Sequence, residues 1–296
     1  MLRLAARVMA GLCGLCSLCS FGGFAWAAPV PVQVPSLDAP AGTAVVLPGH
    51  WFAAAAGVPA PALVLMHGCG GPYDGLGSLA LRYTELAARL NAMGIHVVVT
   101  DSFSPRGEKE LCTQRVGDRR VTQQQRRRDA LGTLQWLAAQ PGVDARRLGL
   151  LGWSNGGSTV LAALNRRHPE VAAAPVQPSL AVAFYPGCES ELQRGFEPSA
   201  PLLMLLGERD DWTPAAPCKA LAQQARIAPA AAPVQWEAYV DAYHGFDGQA
   251  PLRLRRDVPN GAHPGQGVHV GGEPAARGAA AVRLDQFLKD TWSLPR

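Results

Sequence analysis

LGLLGWSNGG, Leu148 to Gly157, places an apolar run directly before a serine set between glycines and follows it with the helical pattern of STVLAALNRRH. A serine at the sharp junction of a buried strand and a helix stands above the sheet with its hydroxyl exposed, and the junction closes only if the residues two before and two after lack side chains. Gly152 and Gly156 meet that condition. Ser154 is therefore a candidate nucleophile, the other reading being a helix N-cap serine with glycines for packing.

The surrounding chain supports a parallel sheet. VQVPSL and TAVVLPGHWFAA form two short strands around the turn DAPAG; ALVLMHG, IHVVVTD, RLGLLGW, SLAVAFYPG, PLLMLLGERDD and VQWEAYVDAYHG follow as further strands. Between them LALRYTELAARLNAMG, RDALGTLQWLAAQPG, NGGSTVLAALNRRH and APCKALAQQARIA carry apolar residues at helical spacing, and AAAVRLDQFLKDTW closes the chain as a helix. Continuous apolar strands alternating with helices predict an α/β fold, a mainly parallel twisted sheet with helices on both faces, led by an antiparallel pair. Residues 250–277, rich in Gly and Pro, read as a long surface loop that could overhang the site.

In such sheets ligands collect at the carboxyl ends of the strands. The polar residues there are His67, Asp101, Ser154, Tyr185, Asp210, Asp211 and His244. A serine hydroxyl needs a base, and the base an orienting acid. Along the chain Asp210 and then His244 follow Ser154, each just past a strand, with Asp211 as the alternative acid and Glu208 and Asp241 as solvated neighbours. Charge on a carbonyl oxygen under attack calls for backbone N–H donors; Cys69, in the glycine-rich turn HGCGG, and Asn155, directly after the serine, supply them. His67 then braces its loop. Trp153 either walls the pocket or packs beneath the elbow.

The N-terminal segment 1–27, MLRLAARVMAGLCGLCSLCSFGGFAWA, has two arginines, an apolar middle and the ending Ala-Trp-Ala of a secretory signal peptide; a retained anchor is the alternative. Residues 28–296 then form one domain. Without Arg3 and Arg7 the formal charge falls from +4 to +2, too small to suggest nucleic acid or a membrane surface as partner. QQQRRRD, Gln123 to Asp129, reads as a solvated helix start. Of the seven cysteines, those outside the leader are Cys69, Cys112, Cys188 and Cys218. In an exported chain they suit two disulfides; of the three pairings that four cysteines allow, Cys69 with Cys112 and Cys188 with Cys218 is favoured because each pair lies near consecutive strand ends, free thiols being the alternative. No metal-ligand spacing, phosphate loop or dinucleotide fingerprint is present, so no cofactor and no metal are expected.

Taken together, MHGCGG, VVTDSFSPRG, LLGWSNGG, FYPGC, LLGERDDWTP and YHGFD, in this order, resemble an exported member of the dienelactone hydrolase family within the α/β-hydrolase superfamily, over roughly residues 40–296. HGCGG is similar to the oxyanion loop of lipases and esterases, and GERDDWTP to the acid loop of the superfamily with Asp210 in the acid position. The chain departs from dienelactone hydrolase itself in carrying Ser154 where that enzyme has cysteine. Arg106 is the nearest candidate for an arginine that binds the substrate carboxylate, or it braces a loop. The resemblance implies a serine hydrolase acting through an acyl-enzyme on a small-molecule carboxylic ester or lactone. Alternatives are a peptidase or amidase of the prolyl-oligopeptidase type, and a catalytically idle binding protein on the same fold.

Overall fold

The computed structural model describes residues 29–55, 57–228 and 231–295; the leader expected over residues 1–27 lies outside them. Eight strands form one sheet: β1 (Val30–Pro35), β2 (Val46–Phe52), β3 (Ala60–Met66), β4 (His96–Thr100), β5 (Val143–Trp153), β6 (Leu180–Phe184), β7 (Leu202–Gly207) and β8 (Val234–Tyr239). Their order is β1-β2-β4-β3-β5-β6-β7-β8. β1 and β2 pair antiparallel, β2 meets β4 antiparallel, and β3 to β8 run parallel. This is the α/β-hydrolase architecture.

The sheet is buried on both faces where its central strands are apolar, as in β3, β6 and the Leu148–Trp153 half of β5. Alternation sends successive residues to opposite sides. Val64 and Met66 of β3 pack with α2 (Gln123–Ala138) and α3 (Asn155–Leu164), and this core extends to the later helix α6 (Ala215–Arg226). Leu63 and Leu65 pack on the other face with α1 (Leu81–Ala92) and the C-terminal helix α7 (Pro274–Trp292). Two short helices, α4 (Pro169–Ala172) and α5 (Glu189–Arg194), complete the described α-helices; at four and six residues they are too short to leave a periodic trace in the sequence.

After β3 the chain goes through α1 to β4 on one side, then through α2 to β5 on the other side of β3. The direction of winding reverses between β3 and β5. A crevice opens at such a reversal, at the carboxyl ends of the strands, and the turns that follow Met66 and Trp153 meet there, since Met66 lies opposite Gly152 in the ladder.

Two expectations change. Residues 250–277 are not irregular throughout: β9 (Arg253–Arg255) and β10 (Val268–Val270) form a small antiparallel pair. These strands have three residues each, below the length at which alternation is readable. The start of α2 is not a solvated face either. Arg126 and Arg127 are buried, and Arg127 and Arg128 pair with Glu170.

Candidate active site

Ser154 occupies the turn between β5 and α3 with φ 53° and ψ −119°, a conformation that side-chain-bearing residues rarely adopt. The glycines explain how the turn closes. A Cβ on Gly152 would lie 2.3 Å from the Gly156 carbonyl oxygen, and one on Gly156 would lie 2.0 Å from that of Met66. Neither backbone group can withdraw without breaking the strand or the helix.

His244 leaves the segment after β8 and forms an isolated bridge with Val270 of β10. Its Nε2 lies 2.9 Å from Ser154 Oγ, and its Nδ1 lies 2.8 Å from Asp210 Oδ2. All three side chains are largely buried. Asp210 is held as an acceptor: Oδ1 takes the backbone N–H groups of Trp212 and Thr213 at 2.9 and 2.8 Å. Those bonds orient Oδ2 toward Nδ1 of the imidazole, and with Nδ1 as donor the Nε2 lone pair faces the Ser154 hydroxyl. The rings of Tyr185 and Trp212, each with its centroid 4.6 Å from that of His244, enclose the imidazole.

Asp211 is not part of this line. Its carboxylate accepts the His269 backbone N–H at 2.8 Å and faces His269 Nδ1 at 2.7 Å, while its carbonyl accepts the Ala262 N–H. It anchors the 250–277 segment beside the crevice. Glu208 pairs with Lys219 and Asp241 with Arg209, both outside the site.

Cys69 and Asn155 line a cleft of about 330 Å³ together with Ser154, Arg119, Gln123, Trp212, Thr213 and Asn260. The Asn155 N–H opens α3, where no intrahelical carbonyl can reach it. Cys69 forms a disulfide with Cys112, and its carbonyl accepts the Leu111 N–H at 2.7 Å, so the loop after β3 is tied to the rim of the cleft. Cys188 and Cys218 form the second disulfide, joining the start of α5 to α6. Crosslinks closing 43 and 30 residues each contribute about 4 kcal/mol in the chain-entropy account.

His67 is wholly buried. Nδ1 donates to the Gly68 carbonyl at 2.8 Å and Nε2 accepts the Ser102 N–H at 3.2 Å. Burial, reinforced by the nearby Arg126 guanidinium, pushes its pKa well below the usual histidine value. It is a neutral brace, and its bond to Gly68 polarises the same peptide unit that carries the Cys69 N–H. Trp153 points away from the cleft, stacked on Phe184 and donating from Nε1 to Asp247 at 2.7 Å, where it lines a separate cavity of about 290 Å³ near α1 and α7. Arg106 is also remote from the cleft. It braces Asp38 and Asp129.

Three participants carried no functional reading in the sequence. Arg126 donates to the His67 carbonyl at 2.7 Å and to Asn155 Oδ1. Asp247 accepts from Trp153, from the Tyr185 hydroxyl at 2.5 Å and from Arg82 at 3.3 Å. Arg119 is the cation of the cleft; among the described residues it makes no ion pair, and its buried Nε has no partner. Only Asp247 had a local signal, its place three residues after His244. Among the described residues no cluster of metal-ligating side chains occurs.

The dienelactone hydrolase family model matches residues 51–261. The chain belongs to the dienelactone hydrolase family. It is thereby a carboxylic ester hydrolase of ester or lactone type. Solved structures share its fold. Thermogutta terrifontis esterase 2 phosphorylated by paraoxon is 15% identical with a TM-score of 0.62, over 92% of this chain and 97% of that one. A dienelactone hydrolase-like promiscuous phosphotriesterase from metagenomic libraries is 18% identical with a TM-score of 0.61, over 90% and 99%. A puromycin hydrolase is 18% identical with a TM-score of 0.52, over 74% of this hydrolase and 36% of that chain. At these identities the likeness is one of fold. No curated protein matches the chain.

Proposed function

We propose that this hydrolase cleaves a small carboxylic ester or lactone through an acyl-enzyme. Ser154 attacks the carbonyl, His244 takes its proton and returns it to the leaving alcohol, and Asp210 fixes the imidazole tautomer. The N–H groups of Cys69 and Asn155 hold the oxyanion. Water, activated by His244, then releases the acid. The observation that carries the reading is the 2.9 Å approach of His244 Nε2 to Ser154 Oγ at a strained, cleft-lining turn. No cofactor enters this chemistry.

Ser154→Ala is expected to reduce hydrolysis of a small aryl ester to background and to abolish labelling by a fluorophosphonate; a folded variant that keeps its turnover refutes the assignment. A panel of esters, lactones and peptidyl amides separates this activity from an amidase, and absence of any labelling of the native chain would mark an idle scaffold. Arg119, acted on by Glu110 but with no carboxylate within ion-pair distance among the described residues, favours esters that carry an acidic group, so the panel includes matched neutral and carboxylate-bearing esters. Equal kcat/KM for the matched pair removes that preference.

The two disulfides suit an oxidising compartment, and among the described residues no helix is long and apolar enough to cross a membrane. Export to the periplasm or beyond, with the leader removed after Ala27, is the localisation this supports. Mass spectrometry of the protein from its native host, without reductant, would read both the mature N-terminus and the pairing. A mature chain beginning at Met1 with Cys69, Cys112, Cys188 and Cys218 as free thiols overturns it.

A further inference from the structure

Arg126 is entirely buried, yet among the described residues no carboxylate lies within ion-pair distance of it. Its guanidinium faces the Phe103 ring at 5.1 Å, its Nε has no partner, and its remaining donors go to the His67 carbonyl and Asn155 Oδ1. Asp129, Asp101 and the Tyr83 hydroxyl act on it from beyond that distance, and Arg106 opposes them. A buried charge without a direct ion pair is expensive, and proteins ordinarily pair it or replace it with an apolar side chain. The position is therefore informative. The two groups that Arg126 grips belong to the two loops whose N–H groups form the proposed oxyanion pocket, one loop carrying His67 and Cys69, the other carrying Ser154 and Asn155.

We propose that Arg126 is a positioning residue of the oxyanion pocket whose positive charge, and not only its hydrogen bonds, favours the tetrahedral intermediate. The inference rests on the acyl-enzyme reading above. Two effects combine. The guanidinium fixes the spacing of the two loops, so both donors stay aimed at one oxygen as it becomes charged. Its field, acting in an environment screened from water, also favours the negatively charged adduct over the neutral ester. Burial lowers the arginine pKa to about 10, so the group remains charged across the range in which a serine–histidine pair works. The same charge helps to keep His67 neutral, the form in which it can brace Gly68.

The test compares Arg126→Gln, Arg126→Met and Arg126→Lys. Kinetics on a small aryl ester are read beside inhibition by an arylboronic acid, which forms a negatively charged tetrahedral adduct with serine. Arg126→Gln and Arg126→Met are expected to lower kcat about 10- to 100-fold and to raise the boronate Ki by a similar factor, with KM within about threefold. Arg126→Lys retains most of the rate at neutral pH. Because a buried lysine has a depressed pKa, that variant loses activity reversibly at mildly alkaline pH, where the native enzyme does not. A purely structural role would not produce this alkaline limb.

If Arg126→Gln keeps the same kcat and boronate affinity as Arg126→Lys, the charge has no role and the proposal falls. If Arg126→Gln and Arg126→Met fail to fold, the alkaline limb of Arg126→Lys decides: its absence overturns the proposal and its presence supports it. Ser154→Ala keeps the two readings apart. Loss of activity there together with native kinetics in Arg126→Gln rejects only the role of Arg126, whereas retained activity in Ser154→Ala rejects the acyl-enzyme on which it stands.

Discussion

Ser154 is flanked by two largely buried charges of opposite sign, and the fold treats them differently. On the α2 side Arg126 meets carbonyl and amide oxygens and no carboxylate. On the α1 and α7 side Asp247 meets Arg82 directly and accepts hydrogen bonds from Trp153 and Tyr185 as well. Arg82, pulled by Asp247 and the Tyr185 hydroxyl against the penalty of burial, has its pKa raised. Asp247 thus ties together the residue before Ser154, the end of β6 and the loop that carries His244. A charge satisfied by the protein holds geometry; a charge left unspent can act on whatever enters the site. Loss of Asp247 should therefore be felt mainly in stability, and loss of Arg126 mainly in rate.

Asp210 gives the largest expected effect and sharpens the contrast from the base side, because it and Asp247 are both carboxylates tied to the His244 loop. Asp210→Asn can still accept the Trp212 and Thr213 N–H groups, but it turns an amide toward the imidazole and favours the wrong tautomer. We expect kcat to fall about 10³- to 10⁴-fold with the melting temperature nearly unchanged. Asp247→Asn should show the reverse pattern. One carboxamide cannot accept from Trp153, Tyr185 and Arg82 together, and the unpaired donors cost about 2–3 kcal/mol, read as a lower denaturation midpoint, while kcat at a temperature where the variant is folded drops less than tenfold. A fall in kcat as deep as that of Asp210→Asn, with unchanged stability, would erase the distinction between the two carboxylates.

The same contrast explains what was legible in the sequence. The strands that lead to Ser154 and Asp210 end in apolar runs, since a sheet covered on both faces requires them, and Ser154, Asp210 and His244 each come within five residues of a strand end. Position in the chain therefore points to position in the crevice. The glycines at 152 and 156 were readable for a steric reason that the backbone bears out at 2.3 and 2.0 Å. Arg126 was not readable. Its neighbours are glutamines and arginines, a local pattern that describes a solvated helix start, and its partners lie 59 and 29 residues away in the chain. Burial of that turn comes from the loops laid over it, which no window along α2 contains. Trp153 likewise had two readings until Asp247 was placed on its far side.

Asp211 supplies the smallest and most discriminating test, as a satisfied charge at the surface next to Asp210. It and His269 are both partly exposed, so their pair is screened and worth about 0–1 kcal/mol. Asp211→Asn can keep the bond from the His269 N–H while weakening the hold on the segment that brings Asn260, Gly261 and Ala262 to the cleft. We expect an unchanged melting temperature, kcat on a small aryl ester within about twofold, and KM for a bulky ester raised by a few-fold as that wall loosens. The two adjacent aspartates would then differ by about three orders of magnitude in kcat. If Asp211→Asn instead loses rate as deeply as Asp210→Asn on the small ester, the carboxylate that matters is not singled out by its bond to His244, and the rule separating paired from unspent charge fails where it is easiest to check.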